Sequence, residues 1–141
     1  MIEKTASYAC WRAFLDGEGV KTPSFSYRAV LVSISMGRSW SLWENEMAPP
    51  LALYGIVHTT KEVEAWIKPA RRAGARIIPL CRKIRRHLDH DARIVEPREI
   101  IVRVHDDNSS GISLVRVLGF VASAEVENKI RIWYYRRGVD G

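Results

Sequence analysis

The stretch that decides the fold runs from residue 108 to residue 120 and reads Asn108-Ser109-Ser110-Gly111-Ile112-Ser113-Leu114-Val115-Arg116-Val117-Leu118-Gly119-Phe120. It follows an apolar, largely β-branched run at residues 100–104, which is typical of a buried strand. After the Asn and Ser residues that cap the helix N-terminus, the apolar residues Ile112, Val115 and Leu118 recur at helical spacing. Gly119 stands where a chain leaves a helix through a positive φ angle. The stretch therefore predicts a turn and a short helix behind a buried strand, with both helix ends marked.

The composition is that of one soluble domain. A chain of 141 residues with 47% hydrophobic content can fill a single core, so we expect residues 1–141 to form one domain. No run approaches the length of a membrane span, and the N-terminus lacks the features of a signal peptide. Cys10 and Cys81 are too few for a disulfide framework and are expected to be reduced packing residues. We expect a soluble, cytoplasmic protein with no membrane partner.

The first half of the chain predicts a helix followed by an antiparallel meander. Residues 6–15 place their large apolar side chains on one helical face. Apolar runs at residues 28–36, 39–44, 51–57 and 63–67 predict four strands, the first two of which form a hairpin. Gly55 inside the third run indicates a bulge or a close backbone approach.

The second half begins with a change of period at Pro69. Apolar residues from Ile77 to Leu88 recur at helical spacing, and the other face is basic, with Arg82, Lys83, Arg85 and Arg86. Pro79 either kinks this helix or stands in its first turn. After the strand at residues 100–104 and the helix that follows, residues 121–126 and 130–136 predict a closing hairpin.

The element order α-β-β-β-β-α-β-α-β-β predicts the fold class. We expect an α/β (α+β) fold with a mixed, mostly antiparallel sheet and helices on both faces. The connection from the fourth strand through the basic helix to the fifth strand should be a parallel, right-handed crossover.

This order resembles the GNAT family of acyl-CoA-dependent N-acetyltransferases, whose C-terminal signature is Asn-x-x-Ala-x-x-Leu-Tyr-x-x-Leu-Gly-Phe. Five positions stand at the family spacing: Asn108, Leu114, Leu118, Gly119 and Phe120. Gly111 replaces the small Ala. Val115 stands where family members often carry the Tyr that protonates the leaving thiolate, so the resemblance implies the fold while leaving catalysis open.

A second part of the resemblance concerns the cofactor. Ile67-Lys68-Pro69 resembles the Val-x-Pro that ends the family's fourth strand. The segment Arg71-Arg72-Ala73-Gly74-Ala75-Arg76 resembles the Arg/Gln-x-x-Gly-x-Gly/Ala loop that cradles the CoA pyrophosphate. If Arg71 takes the first position, Gly74 is in place but Arg76 stands where a Gly or Ala is expected; if Arg72 does, Ala75 takes the Gly position. The resemblance implies acetyl-CoA (CoA) as cofactor.

The chemistry of this loop does not depend on the family. A Gly-containing turn at a helix N-terminus offers N–H groups and the positive end of the helix dipole to an anion, and the arginines add charge-assisted bonds. The alternative is a solvated basic helix end. In the family, Asn108 also lies near the pantetheine arm, which is compatible with a plain N-cap role.

Glu64 and His105 are the candidate catalytic bases, because the resemblance places the acyl acceptor where the fourth and fifth strands splay. An exposed glutamate and a hydrogen-bonded histidine are the alternatives. His87, Asp89, His90 and Asp91 lack matched metal-ligand spacing elsewhere, so we interpret them as a solvated helix end and expect no metal.

A narrower resemblance is to short GNAT-like proteins of tailed bacteriophages, including internal virion proteins of podoviruses. It covers most of residues 28–120. The first hypothesis is therefore a phage-encoded, acetyl-CoA-dependent N-acetyltransferase that acts on an unidentified amine. The alternative is a non-catalytic virion component or host-directed binding protein, located in the virion or the host cytoplasm. The net charge of +6 and the basic helix face make a nucleic-acid-binding module the third hypothesis.

Overall fold

The computed structural model describes residues 1–136, apart from the side chain of Ala75. These residues form seven strands: β1 (Ile2–Thr5), β2 (Arg38–Trp43), β3 (Ala52–His58), β4 (Val63–Pro69), β5 (Ile100–His105), β6 (Phe120–Glu127) and β7 (Ile130–Tyr135). They also form four α-helices: α1 (Tyr8–Gly17), α2 (Phe25–Met36), α3 (Ile77–Val95) and α4 (Ser109–Leu118). A 3-10 segment, Arg71–Arg76, which we call the arginine turn, leads into α3.

The strands join in one sheet of order β1-β2-β3-β4-β5-β7-β6. Antiparallel pairs join β1 to β2, β2 to β3, β5 to β7, and β6 to β7. The pair β4 and β5 is parallel, with Val63 opposite Ile100 and Glu64 opposite Ile101. This confirms the predicted mixed, mostly antiparallel sheet and the parallel connection through α3.

The chain divides into two compact units. Unit 1 comprises Met1–Val57 and Trp66–Leu80, and unit 2 comprises His58–Ala65 with the described residues from Cys81 onward. In unit 1, Trp11, Phe14 and Leu15 of α1 pack with Leu53 of β3 and with Ala70. The amphipathic helix predicted near the N-terminus is confirmed, and Ser7 caps it by accepting the N–H of Cys10.

The prediction of a strand at residues 28–36 is wrong, because these residues belong to α2. Its β-branched and aliphatic composition favours a strand locally. The packing favours a helix, since Tyr27, Leu31 and Ile34 recur at helical spacing and pack against the core of unit 1. Tertiary contacts therefore override local propensity here.

The partner of β2 also differs from the prediction. The strand at residues 39–44 is confirmed as β2, but it pairs with β1 and β3 and forms no hairpin with residues 28–36. The pattern analysis missed β1, a four-residue strand whose side chains are mostly exposed. A strand this short and polar carries little hydrophobic alternation, so only its pairing reveals it.

Two residues that interrupt regular patterns behave as predicted. A Cβ atom on Gly55 would lie 2.7 Å from the Arg38 carbonyl oxygen and 2.7 Å from Trp66 Nε1, which confirms a close approach. Helix α3 begins at Ile77, so Pro79 stands in the first turn, where its missing N–H needs no helical partner. The first-turn alternative is therefore confirmed.

The stretch at residues 108–120 folds as predicted within unit 2. Asn108 caps α4, and Gly119 ends it with a φ angle of 103°. Leu114, Val115 and Leu118 are buried. The β6–β7 hairpin turns through Asn128 and Lys129, whose φ angles of 53° and 65° suit a two-residue hairpin loop.

Cys10 and Cys81 are free and buried, which confirms them as packing residues. Nowhere in residues 1–136 does a helix combine the length and apolar character needed to cross a membrane.

Candidate functional site

The arginine turn joins β4 to α3 in unit 1. The N–H of Ala70 donates to the Leu51 carbonyl oxygen at 2.8 Å, which fixes the point where the turn begins. Within the turn, the N–H of Ala73 donates to the Ala70 carbonyl oxygen at 3.0 Å. At its end, the N–H of Ile77 donates to Gly74. The segment is therefore an ordered turn at a helix N-terminus, the kind of structure that binds anions.

Glu18 occupies the first N–H of this turn. Its Oε1 accepts the backbone N–H of Arg71 at 3.0 Å, and its carbonyl oxygen accepts the Arg71 guanidinium at 3.0 Å. The Glu18 side chain is only 8% exposed, whereas that of Arg71 is 83% exposed. A carboxylate of the chain itself thus stands at a position that an anionic ligand would use.

The other two arginines of the turn also bind groups of unit 1. Arg72 donates to the carbonyl oxygens of Pro49 and Pro50, the latter at 3.1 Å. Arg76 donates to Glu44 Oε1 at 2.9 Å, and this hydrogen bond lowers the pKa of Glu44. All three guanidinium groups therefore help to hold the turn in place.

The middle of the turn is open at one point. Ala73 is buried, but a Cβ atom on Gly74 would meet nothing within 4 Å, so the surface at Gly74 is accessible. The Ala75 side chain lies outside the described residues. Three arginines around an open backbone fit a diphosphate, provided that the Arg71 N–H is released from Glu18. Ile67 precedes the turn in β4 and is partly buried.

In unit 2, Glu64 shares one guanidinium with Glu62. Arg103 donates to Glu64 Oε1 at 2.6 Å and to both carboxylate oxygens of Glu62, at 2.6 and 3.0 Å. Burial raises the pKa of Glu64, whereas the hydrogen bond from Arg103 lowers the pKa of Glu62. Of these two carboxylates, Glu64 is the one poised to take up a proton nearer to neutral pH.

A cavity of about 390 Å³ lies beside this cluster. Arg103 forms part of its wall, together with Glu125, Glu127 and Ile130 from the β6–β7 hairpin. Glu125 accepts a short hydrogen bond from the Tyr134 hydroxyl, which raises the pKa of Tyr134. The cavity can therefore admit a small polar group next to the Arg103–Glu64 pair.

His105 ends β5 with an exposed side chain. Its Nδ1 accepts the backbone N–H of Asp107 at 3.1 Å, which holds the turn toward α4. An imidazole that accepts at Nδ1 carries its proton on Nε2 when neutral. Because the one lone pair of the neutral ring is used locally, His105 must break this bond before it can accept another proton.

Asn108 and Gly111 act together at the start of α4. The Asn108 Oδ1 accepts the Gly111 N–H at 3.0 Å and the Ser110 hydroxyl at 3.1 Å. A Cβ atom on residue 111 would lie 2.4 Å from Asn108 Nδ2. Gly111 therefore lets the Asn108 side chain fold over the helix end. Val115 is 3% exposed, and its aliphatic side chain cannot supply a proton.

The acidic residues of α3 correct one interpretation. Asp91 is 1% exposed and lies 3.1 Å from His58 Nε2. Asp89 accepts the Tyr135 hydroxyl at 2.5 Å, and burial with this bond raises the pKa of Tyr135 to about 12. The interpretation of this cluster as a solvated helix end is therefore wrong for both aspartates, which pack inward. Within residues 1–136, no group of three or more His, Cys, Asp or Glu could hold a metal ion.

Sequence reasoning missed the chain's own partners of the predicted site. Glu18 lies 53 residues before Arg71, and Arg103 lies 39 residues after Glu64. No periodicity or motif links such distant positions.

Solved acetyltransferase structures share this fold. A chimera of the spermidine N-acetyltransferase SpeG from Vibrio cholerae and hSSAT matches with a TM-score of 0.65 and 15% identity, over 96% of this chain and 95% of its own. An acetyltransferase from Agrobacterium tumefaciens str. C58 matches with a TM-score of 0.69 and 12% identity, over 96% and 90%. A putative GnaT-family acetyltransferase from Bordetella pertussis matches with a TM-score of 0.67 and 13% identity, over 92% of each chain.

At these identities the likeness shows the fold, which is the GNAT acetyltransferase fold expected from the sequence. No protein-family model and no curated protein matches the sequence.

Proposed function

We propose that this protein is an acetyl-CoA-dependent N-acetyltransferase that acts on an amine. The observation that carries the proposal is the position of Glu64 in an acetyltransferase fold. This half-buried carboxylate lies opposite Ile101 in the parallel β4–β5 ladder and binds Arg103, which lines a cavity. Amide formation requires that the amine lose a proton, so a carboxylate with a raised pKa suits the task.

The cofactor is assigned to the arginine turn and to Ile67, which precedes the turn in β4. Arg71, Arg72 and Arg76 would hold its diphosphate through charge-assisted bonds, and the open surface at Gly74 admits the phosphate oxygens. Acetyl-CoA supplies the acetyl group in activated form, as a thioester. Among the described residues, the Glu18 carboxylate competes with the diphosphate for one backbone donor of the turn, the Arg71 N–H.

Glu64 is the better of the two candidate bases. Its carboxylate would take a proton from the substrate ammonium group, and the Arg103 guanidinium fixes its orientation through the 2.6 Å bond. The pKa of Glu64 is raised by burial, which narrows the gap between the pKa values of base and amine. His105 remains the weaker candidate, since Nδ1 already accepts the Asp107 N–H.

A second candidate function follows from Val115. Its buried side chain offers no proton where the family pattern expects Tyr. This favours a GNAT-fold protein that binds a partner without catalysis, such as a virion component or a host-directed binding protein. The link to bacteriophages stays a prediction in both cases.

Calorimetry and thermal unfolding with acetyl-CoA test the cofactor. A ligand of the native state stabilises by about 2.7 kcal/mol at a free concentration of 100 times its Kd. We therefore expect the melting temperature to rise with acetyl-CoA concentration. An unchanged melting temperature at millimolar acetyl-CoA, with no heat of binding, would contradict both the cofactor and the acetyltransferase assignment.

The catalytic role is tested by thiol release from acetyl-CoA with a panel of primary amines that includes spermidine, the substrate named for one structural neighbour. Glu64→Gln should reduce thiol release by about 100-fold or more while leaving acetyl-CoA binding intact. His105→Ala is the matched control and should keep most activity. The native rate should rise with pH through a pKa above the usual 4.5 of glutamate. Cofactor binding without release for any amine would favour the second candidate.

A further inference from the structure

A line of basic side chains runs along the outward face of α3. It consists of Arg82, Arg86, His90 and Arg93, which we call the α3 stripe, and all four are exposed. At about 100° per residue, these positions fall within roughly 80° of the helix circumference. They span about 16 Å along the axis at 1.5 Å per residue. The stripe lies entirely within unit 2.

The carboxylates of α3 do not neutralise this stripe. Asp91 is buried and lies against His58, while Asp89 binds the Tyr135 hydroxyl. Both acids of the helix therefore serve the interior of unit 2. Because Leu88 and Ile84 occupy the same inward face, the outward face of α3 keeps only positive charge.

The arginines of the stripe also lack partners elsewhere in residues 1–136. None of Arg82, Arg86 and Arg93 forms an ion pair, hydrogen bond or ring contact there. Arginines in other places do form ion pairs: Arg12, Arg71, Arg76, Arg103, Arg131 and Arg136. Like charges at helical i and i+4 positions destabilise a helix, so the stripe has an energetic cost with no compensating ion pair or hydrogen bond among residues 1–136.

The partner that fits is an extended polyanion with regularly spaced charges. An arginine fork matches phosphate oxygens in two-point contacts. A length of about 16 Å covers roughly five phosphates of one strand, at 3.4 Å per phosphate. Three aromatic side chains of unit 2 are buried, namely Phe120, Trp133 and Tyr135. Tyr134 is partly exposed, but Glu125 holds its hydroxyl and Arg136 lies over its ring. A base-paired duplex therefore fits better than a single strand.

A membrane surface fits less well. Exposed apolar side chains on α3 are confined to its two ends, Ile78 and Ile94, and form no continuous strip that could enter a bilayer. We propose that the α3 stripe binds the phosphate backbone of double-stranded nucleic acid without reading its sequence. This proposal does not depend on acetyl transfer.

The test is fluorescence anisotropy with a labelled 20-base-pair DNA duplex over a range of salt concentrations. Three or four phosphate contacts predict that log K falls against log salt with a slope of about −3. The triple variant Arg82→Gln, Arg86→Gln, Arg93→Gln should lose the binding, with its slope reduced by about 1 per arginine. Its melting temperature should stay near that of the native protein, because these side chains make no hydrogen bond, ion pair or ring contact with residues 1–136.

The matched control is the triple variant Lys21→Gln, Arg28→Gln, Lys61→Gln. It also removes three positive charges, but from exposed positions outside α3. This control variant should retain duplex binding. Equal losses in both variants would reduce the effect to net charge and overturn the proposal. So would tighter binding to a single strand of the same sequence, or binding only to vesicles that contain phosphatidylserine.

Discussion

The arginine turn and the α3 stripe are neighbours in sequence, and each carries three arginines, yet the chain uses them in opposite ways. In the turn, Arg71, Arg72 and Arg76 all bind acceptors of unit 1. In the stripe, no arginine binds any described residue. An arginine in a sequence can therefore bind acceptors of its own chain or stay available to a partner. The contacts in the folded protein distinguish the two cases.

The difference also changes what a ligand must do at each place. An anion that binds the turn meets a preformed set of arginines, but it has to displace or adapt to the carboxylate of Glu18. An anion that binds the stripe displaces no ion-pair or hydrogen-bond partner among residues 1–136, and it relieves repulsion between neighbouring guanidinium groups. We therefore expect changes in the turn to alter stability and cofactor affinity, and changes in the stripe to alter neither.

The largest expected effect is on stability, at Arg72. Arg72→Ala leaves the carbonyl oxygens of Pro49 and Pro50 without their charged donor, and Pro50 is buried. We expect the free energy of unfolding to fall by about 1–2 kcal/mol, measured by urea titration. Arg82→Ala, the matched change in the stripe, should stay within about 0.5 kcal/mol of the native protein. Equal losses would erase the distinction between the two regions.

The next effect is on cofactor affinity, at Glu18. Glu18→Gln keeps a side-chain oxygen that can accept the Arg71 N–H but removes the negative charge that competes with a diphosphate. A neutral acceptor binds about 1 kcal/mol more weakly than a charged one, so acetyl-CoA should bind about fivefold more tightly by calorimetry. Asp16→Asn is the control, because Asp16 lies at the same helix end and its side chain pairs with Arg12. This variant should leave the affinity unchanged. Weaker binding by the Glu18 variant would contradict the competition.

Much of the architecture could be predicted from local pattern. The α4 segment could be predicted because its cap, its apolar spacing and its final glycine all indicate the same helix. In the structure, Asn108 caps this helix, Leu118 is its last residue and Gly119 follows it. Agreement among independent local signals is what makes a segment predictable. Residues 28–36 carried conflicting signals, a strand-like composition on a helix-like spacing, and tertiary packing decided between them.

The candidate site could be predicted only in part, for a different reason. The resemblance proposed the turn and Glu64 as site residues, and both proposals rest on short segments of sequence. It could not show that Glu18 and Glu44 bind the turn, or that His105 Nδ1 accepts the Asp107 N–H. These contacts depend on which distant segments meet, and that is a property of the folded chain rather than of any one segment.

The smallest expected effect is a pH dependence at the Glu44–Arg76 pair. The hydrogen bond from Arg76 lowers the pKa of Glu44 below its usual 4.5, so the folded state holds this proton less tightly than the unfolded state. The pair therefore stabilises the fold above about pH 4.5, and its contribution is lost as the pH falls through the lowered pKa. Both side chains are exposed, so the effect on the free energy of unfolding should be small. It should shrink further in about 0.5 M salt, because salt screens the attraction between exposed charges.

Urea midpoints at pH 7 and pH 3 measure this effect. Arg76→Gln should lower the midpoint at pH 7, and the difference from the native protein should be smaller at about pH 3, where Glu44 begins to take up a proton. Arg86→Gln, in the stripe, should leave the midpoint unchanged at both values, since Arg86 has no carboxylate partner within residues 1–136. A pH-dependent change in the Arg86 variant would mean that the stripe, like the turn, is bound to the chain's own carboxylates, and the contrast between the two regions would fail.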